Sequence, residues 1–218
     1  MSAIAATPPV QEAEYFGHLR LDVLGHIPAN AERILSVGCG AGVTEAELVR
    51  GGARVTGIEL QPGPAAAARQ RGLEVLEGDV ESINASLRDR EFDCLLYADV
   101  LEHLADPESV VRTHVESLAP GGTVVISVPN FRYLTVLWQL GVRGHIRYTD
   151  AGILDRTHLR LTTRRMVVEW LERIGLTSIG WEYTIARRRD RLINALGLGL
   201  PAEFVAQQII VTGTNGNA

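Results

Sequence analysis

Apolar positions along the chain follow two alternating periods between about residues 33 and 128. Short β-rich apolar runs predict strands near 34–37, 54–59, 73–77, 92–97 and 123–128. Apolar residues at three-to-four-residue spacing predict helices near 43–51, 63–71, 81–88 and 107–118. Strands that alternate with helices are typical of a parallel sheet with right-handed crossovers. The pattern therefore predicts an α/β fold with a doubly wound, Rossmann-like sheet.

The N-terminal part is predicted to lie against this sheet. After a flexible tail at residues 1–11, helical spacing of apolar residues predicts a flanking helix within residues 12–28, from Glu12 to Ile27. Within the core, Pro120-Gly121-Gly122 is expected to stop the fourth helix and turn the chain into the fifth strand. The core of the domain is then residues 33–128.

Residues 129–160 break the rhythm of the core, because they form a long, aromatic and basic segment between a strand and the next helix. Elaborations of this kind often carry function, so we expect an insertion that forms a lid or binds substrate. Residues 161–218 complete a single domain of residues 1–218. Their pattern predicts a helix at 163–174, a strand at 177–185, a helical piece at 187–198 and a last strand at 204–212.

Composition narrows the class of protein. A chain of 218 residues with 46% hydrophobic content can bury a substantial core. A net charge of −5 argues against a nucleic-acid partner. Cys39 and Cys94 lie far apart without metal-binding spacing, so we expect reduced thiols and no metal site. No leader or long apolar stretch is evident, so we expect a cytoplasmic protein without stable membrane insertion.

A glycine-rich turn follows the first predicted strand. Gly38, Cys39 and Gly40 lie where the strand opens into a helix, and glycines there let the backbone approach a ligand. The turn alone is weak evidence, since dinucleotide-binding folds use a similar one. Two acids strengthen it. Glu59, followed by Leu60, ends the second strand 21 residues after Gly38, where a carboxylate can accept from both hydroxyls of a ribose.

The second acid, Asp79, follows the third strand. It can accept from the exocyclic amine of an adenine while Val80 packs against the ring. The structural alternatives are a helix N-cap for Asp79 and an exposed strand-end acid for Glu59.

With these motifs the chain resembles class I S-adenosylmethionine (SAM)-dependent methyltransferases of the broad type 11 or type 23 group, from about Tyr15 to Leu171. The resemblance also covers Phe92-Asp93, the run from Asp99 to Leu104, and the run from Leu118 to Gly122. It implies about seven strands in the order 3-2-1-4-5-7-6, the last one antiparallel, and SAM as the cofactor. The cofactor-binding residues that it implies are Tyr15, Arg20, Gly38, Cys39, Gly40, Glu59, Leu60, Asp79, Val80, Ala98 and His103.

One position departs from the family pattern. Ser36 stands where the family usually has Asp or Glu, and that acid helps organise the region receiving the charged amino group of the cofactor. Ser36 can keep a hydrogen bond but not the charge. A non-catalytic SAM-binding or scaffold protein therefore stays open as an alternative function.

Histidines are the candidate bases, because deprotonation of an acceptor hydroxyl suits a group with a pKa of roughly 6.5. His103 follows the fourth strand on the expected cofactor face, and His158 lies in a polar cluster of the insertion; we interpret both as candidate catalytic residues. Purely structural roles remain the alternative for each. The candidate substrate-binding residues in the insertion are His145, Tyr148, Asp155 and Arg156.

We therefore predict transfer of a methyl group from SAM to a small-molecule or glycan acceptor, with oxygen favoured over nitrogen or carbon. The glycan rests on the insertion, which looks like those of methyltransferases associated with bacterial surface-polysaccharide pathways. An NAD-dependent oxidoreductase is a weaker alternative, since it leaves Asp79 and the Glu102-His103 region unexplained. Homodimerisation is left open.

Overall fold

Seven strands form one sheet in the computed structural model of the chain, which describes residues 19–186, 190–191, 194–195 and 202–216. The strand order is β3-β2-β1-β4-β5-β7-β6. The strands are β1 (Arg33–Val37), β2 (Arg54–Glu59), β3 (Glu74–Glu77), β4 (Phe92–Ala98), β5 (Leu118–Pro129), β6 (Leu176–Thr184) and β7 (Gln208–Asn215). Strands β1 to β5 pair in parallel, and β7 runs antiparallel to both β5 and β6. The predicted fold class and strand order are confirmed.

Helices connect the parallel strands and cover the sheet. They are α1 (Leu21–Leu24), α2 (Glu45–Arg50), α3 (Pro62–Gln70), α4 (Val80–Ile83), α5 (Pro107–Val115), α6 (Leu134–Gly141) and α7 (Arg164–Ile174). Helix α5 begins at Pro107 after Asp106, whose carboxylate accepts from the Ser109 amide at 3.1 Å. Helix α7 ends at Gly175, which adopts a left-handed conformation at φ +93°. These are ordinary helix start and stop signals.

The central strands are buried because helices cover both faces of the sheet, which is why they read as nearly continuous apolar runs. Alternate side chains of β1 enter different clusters: Leu35 packs with Leu95 and Ile126, whereas Ile34 packs with Leu96 on the opposite face. A fully buried side chain of this size contributes about 1.5–3 kcal/mol of hydrophobic stabilisation. This rigid centre holds the loops at the carboxyl ends of the parallel strands.

Two predicted boundaries in the core and the C-terminal part are wrong. Pro120-Gly121-Gly122 does not precede the fifth strand but lies inside β5, where pairing with β4 shifts from Phe92↔Leu118 to Cys94↔Thr123. The glycines fit this bulge because Gly121 has φ +73°. The last strand begins at Gln208 rather than 204, because residues 202–204 form a 3₁₀ turn.

The predicted flanking helix is described only in part. Residues 12–18 lie outside the described residues, and the part from residue 19 to Ile27 contains only the single turn α1, with Val23 buried. The predicted helical piece at 187–198 also lies largely outside them, since only residues 190–191 and 194–195 are described there.

The insertion has its own small apolar cluster, formed by Phe131, Tyr133, Val136 and Leu154. Helix α6 contributes only Val136 to it, and the outer side of the helix exposes Leu134, Leu137, Trp138 and Leu140. Within the part of the chain that the structure describes, no helix has the length and apolarity to cross a membrane.

Candidate active site

The glycine-rich turn lies at the carboxyl end of β1 and is attached to β2. The Gly38 and Cys39 amides both donate to the Ile58 carbonyl, at 2.8 and 3.2 Å. Gly38 has φ +70°, and a Cβ there would lie 2.8 Å from Cγ2 of Val100. Glycine is therefore required at this position for both conformational and steric reasons. The result is an open backbone surface beside the end of β4.

Glu59 is buried beneath this turn and is not the exposed acid of the structural alternative. Only 5% of the residue is exposed to solvent. One carboxylate oxygen accepts from the Gly40 amide at 2.9 Å, and the other accepts from the Gln61 amide at 2.8 Å. A carboxylate has about four acceptor positions, so each oxygen keeps capacity for a ribose hydroxyl. Leu60, next in the chain, is 64% exposed.

Asp79 is the N-cap of α4, where its carboxylate accepts from the Glu81 amide at 2.8 Å. The residue is exposed, so a cap role leaves its other oxygen accessible to a ligand. Val80 is buried in the core cluster beside Ile83. The structural alternative for Asp79 is thus present and is compatible with contact to an adenine.

Cys39 contributes packing rather than reactivity. Burial raises the pKa of its thiol, and the Glu45 and Glu59 carboxylates raise it further. A Cβ at Gly57 would lie 2.5 Å from the Cys39 sulfur, so the thiol fills the space above β2. Ligand contact at this position would fall to the backbone.

Arg20 meets the carboxyl end of β4 from the N-terminal side. It pairs with Asp22 at 3.0 Å and with Asp99, and it donates to the Ser127 hydroxyl at 2.8 Å. Asp99 has φ +56°, an uncommon conformation for a residue with a Cβ. The structure thus brings Arg20 to the end of β4, where it pairs with the residue that follows Ala98. Tyr15 lies outside the described residues.

Ser36 has an acidic partner that sequence reasoning missed. Its hydroxyl donates to Oε1 of Glu45 at 2.7 Å, and the two residues are 1% and 4% exposed. The sequence does show an acid, Glu45, in the helix predicted near 43–51, directly after the glycine turn. Only the fold shows that it reaches β1.

His103 and His158 come together although 54 residues separate them. Their ring centroids are 4.8 Å apart in an edge-to-face arrangement. The ring Nδ1 of His158 lies 3.0 Å from the Ile153 carbonyl, and Nδ1 of His103 lies 3.3 Å from the Thr157 carbonyl. Since a carbonyl only accepts, both Nδ1 atoms carry the proton, and both Nε2 atoms keep a free lone pair.

The insertion is held over β4 by backbone hydrogen bonds. The Leu159 and Arg160 amides donate to the Glu102 carbonyl at 2.8 and 3.1 Å. Asp155 is 3% exposed and accepts from both the amide and the hydroxyl of Thr157, at 2.8 and 2.7 Å. The Thr157 hydroxyl also lies 3.1 Å from Nδ1 of His103. Asp155 and Thr157 therefore orient the His103 ring, whereas the Ile153 carbonyl orients that of His158. This role of Thr157 does not follow from the sequence alone.

Glu102 lies beneath the pair and is almost completely buried, with 1% of the residue exposed. Its Oε1 is 3.9 Å from Nε2 of His158, and its Oε2 has no hydrogen-bond partner among the described residues. Burial raises the pKa of this carboxyl well above its usual range, and the nearby Asp99 carboxylate adds to the effect. Burial and the neighbouring His158 lower the pKa of His103.

Donor atoms of Glu102, His103 and His158 all lie within 4.8 Å of one another, so this cluster could hold a cation. The expectation of no metal site rested on the spacing of the two cysteines, whereas these three residues come together only in the fold.

The other candidate substrate residues lie further out. Arg156 pairs with Asp150 at 2.5 Å, and both side chains are largely exposed. His145 is exposed and Tyr148 is 59% exposed. The structure therefore separates the four into one buried orienting residue, Asp155, and three on the surface of the insertion.

The residues at this edge of the sheet fit an adenosyl cofactor. At Gly38 the backbone is exposed and packs so closely against Val100 that no Cβ fits, and the buried Glu59 carboxylate faces the same turn with acceptor capacity to spare. Ligands of open α/β sheets bind at this edge, outside the carboxyl ends of the strands.

Comparison with known proteins agrees with this geometry. A family model described as "Methyltransferase domain" matches residues 35–126. A ubiquinone biosynthesis O-methyltransferase from Nitrosococcus oceani is 41% identical over 200 residues, covering 85% of this chain and 84% of that protein. A second protein of that name, from Xylella fastidiosa, is 35% identical over 184 residues and covers 80% and 74%.

Solved structures show the same fold. A SAM-dependent methyltransferase from Archaeoglobus fulgidus superposes with a TM-score of 0.69 at 17% identity, covering 94% of this chain and 98% of that one. One from Mesorhizobium loti gives 0.65 at 19% identity, with 91% and 98% covered. With the 41% identical relative covered over most of its length, the chain belongs to the class I SAM-dependent methyltransferases. It is a methyltransferase that uses SAM as its cofactor.

Proposed function

We propose that this enzyme transfers a methyl group from SAM to the hydroxyl oxygen of a small aromatic acceptor of the ubiquinone-precursor type. The observation that carries the proposal is the His103–His158 pair just past the carboxyl end of β4, where the Nδ1 of each ring lies against a backbone carbonyl and Nε2 is left to accept a proton. The name of the Nitrosococcus oceani and Xylella fastidiosa relatives, ubiquinone biosynthesis O-methyltransferase, supports oxygen as the acceptor atom and a quinone precursor as the class of acceptor.

The proposed chemistry needs a base and an aligned methyl donor. When bound, SAM supplies a methyl carbon on a positively charged sulfur. The acceptor oxygen forms the new C–O bond as the C–S bond breaks, its electron pair remains on sulfur, and the hydroxyl proton passes to an imidazole Nε2. General-base catalysis of this kind contributes about 10²–10⁴-fold to a rate. Alignment of oxygen, carbon and sulfur supplies much of the remainder.

Each histidine has a proposed part in this step. His158 is the stronger candidate base, because its side chain is only 7% exposed and its Nδ1–H is held by the Ile153 carbonyl. His103 would border both acceptor and cofactor, and burial lowers its pKa, which favours the neutral ring. A neutral imidazole is the form that can accept a proton.

The proposed cofactor contacts follow the fold. Gly38, Cys39 and Gly40 provide backbone beneath the amino-acid end, and Glu59 accepts from the ribose with Leu60 beside it. Asp79 and Val80 lie at the adenine end. Ala98, Arg20 and His103 would surround the reacting end, and the insertion would cover the acceptor. Tyr15 lies outside the described residues and stays a prediction from the sequence.

The acceptor proposal replaces the glycan of the sequence-based hypothesis. The glycan rested on one segment, whereas the relatives named for ubiquinone biosynthesis align over most of the chain. An oxidoreductase and a scaffold protein are both disfavoured by the same relatives. His145, Tyr148 and Arg156 lie on the exposed side of the insertion, where they can contact the rim of a bound acceptor.

The test is an activity assay with methyl-labelled SAM against catechols bearing prenyl tails, with sugar acceptors as comparison. We expect turnover on the catechols only. His158→Gln should reduce kcat by roughly 10²–10⁴-fold and leave SAM affinity unchanged. His26→Gln is the control and should retain activity. His26 is not part of the histidine pair, and its Nε2 lies 3.2 Å from the Glu182 carboxylate. Sugar methylation, or full activity of His158→Gln, would contradict the proposal.

A further inference from the structure

A buried carboxylate lies beside the glycine turn without a cationic partner among the described residues. Glu45 is the first residue of α2 and is 4% exposed. Its side chain accepts from the Ser36 hydroxyl at 2.7 Å, and it takes part in no ion pair within the part of the chain that the structure describes. Burial raises the pKa of this carboxyl, while the hydrogen bond from Ser36 lowers it.

An acid in this environment is costly unless a ligand contributes to it. Burying a charged group without a partner strongly destabilises a protein. Another acid of the same helix, Glu47, is partly exposed and has a cationic partner, because it pairs with Arg50 at 2.6 Å. Glu45 instead points inward, to the strand that carries the cofactor turn. A cation bound at this edge of the sheet would compensate for the cost.

SAM has such a cation, its α-ammonium group, at its amino-acid end. Strand β1 lies between β2 and β4 in the sheet. With the ribose at Glu59 on β2 and the adenine at Asp79 after β3, as proposed, the amino-acid end extends in the other direction, across β1 toward β4. Ser36 is two residues before Gly38 on β1, and the Gly42 carbonyl accepts from the Ala46 amide at 2.9 Å, so the turn leads directly into α2.

We propose that Glu45 is the residue that binds the α-ammonium group of SAM, with Ser36 orienting its carboxylate. The acid is thus supplied from the start of α2 rather than from β1. Because Ser36 Oγ and Glu45 Oε1 are 2.7 Å apart, a carboxylate on either residue can occupy nearly the same space. The inference rests on the proposed placement of the cofactor at Glu59.

The test compares two ligands that differ only in the amino-acid end. S-adenosylhomocysteine has the ammonium group, whereas 5′-methylthioadenosine lacks it. Isothermal titration calorimetry with both would be run on wild type, Glu45→Gln, and the exchange variant Ser36→Asp/Glu45→Ala. Glu47→Gln is the matched control on the same helix, and thermal unfolding of each variant establishes folding.

We expect Glu45→Gln to weaken S-adenosylhomocysteine binding about ten- to hundredfold, the range for a charge-assisted hydrogen bond, and to leave methylthioadenosine binding unchanged. The exchange variant should recover most of the lost affinity, and Glu47→Gln should behave as wild type. Equal loss of both ligands, or no loss of either, would overturn the inference. If wild type bound neither ligand, the proposed placement of the cofactor itself would fail, which is a distinct result.

Discussion

His114 provides a sharp test of the electrostatics behind the site. The residue is 1% exposed on α5, and its ring connects two elements. Nδ1 lies 2.9 Å from the hydroxyl of Tyr97, the residue that precedes Ala98 on β4. Nε2 lies 3.0 Å from Oδ1 of Asn84. With Nε2 donating to Asn84 and Nδ1 accepting from Tyr97, the neutral ring is fully satisfied. A second proton would have to enter a buried environment.

Burial lowers the pKa of His114 from 6.5 to about 4. In the unfolded chain the same side chain takes up a proton as pH falls through about 6.5. Between these two values the unfolded state binds more protons, so stability falls as the pH is lowered. The linkage predicts that this residue alone costs the folded state about 2.5 kcal/mol between about pH 7 and pH 4.5.

The assay is urea denaturation of wild type, His114→Gln and the control His145→Gln at those two pH values. His114→Gln should be less stable at pH 7, because Tyr97 and Asn84 lose their partner. Its further loss on acidification should be about 2.5 kcal/mol smaller than that of wild type. His145 is exposed, so its variant should follow wild type. An equal acid sensitivity in all three proteins would refute the argument.

Two further substitutions probe the site. Gly38→Ala should abolish SAM binding and lower the Tm, because its Cβ would lie 2.8 Å from Val100 at φ +70°, whereas Gly121→Ala, with φ +73° and open space, should keep binding in calorimetry. Glu102→Gln should remove a loss of stability with rising pH. The raised pKa of Glu102 lets the folded state hold a proton above pH 4.5, so wild type is destabilised as pH rises. Denaturation with a chelator present checks this, and an unchanged pH profile would contradict it.

The sheet could be predicted because its signals are local. Each parallel strand is buried on both faces and appears as a short apolar run, and each crossover shows helical spacing. Glu59 could be placed because it directly ends such a strand. The bulge at Gly121 could not, since glycine and proline signal a change of direction without showing whether pairing resumes before or after it.

Long-range contacts account for what sequence reasoning missed. The histidine pair depends on the hydrogen bonds from Leu159 and Arg160 to Glu102, across more than 50 residues. The Ser36–Glu45 contact depends on the angle at which α2 leaves the glycine turn. Neither distance has a counterpart in residue spacing. From the sequence, Ser36 therefore indicates that the acid of the family pattern is missing, whereas the fold places the Glu45 carboxylate beside it.

The docking of the insertion on the Glu102 carbonyl also bears on how acceptor range could change. One histidine of the pair belongs to the core and the other travels with the insertion, so neither segment holds the complete pair. Exchange of residues 129–160 between relatives would replace both the proposed acceptor surface and one of the two proposed bases. On this proposal, an exchanged segment that contains His158 and the Leu159 and Arg160 amides would transfer both activity and acceptor selectivity. A segment without them would give a protein that binds SAM but does not methylate the acceptor.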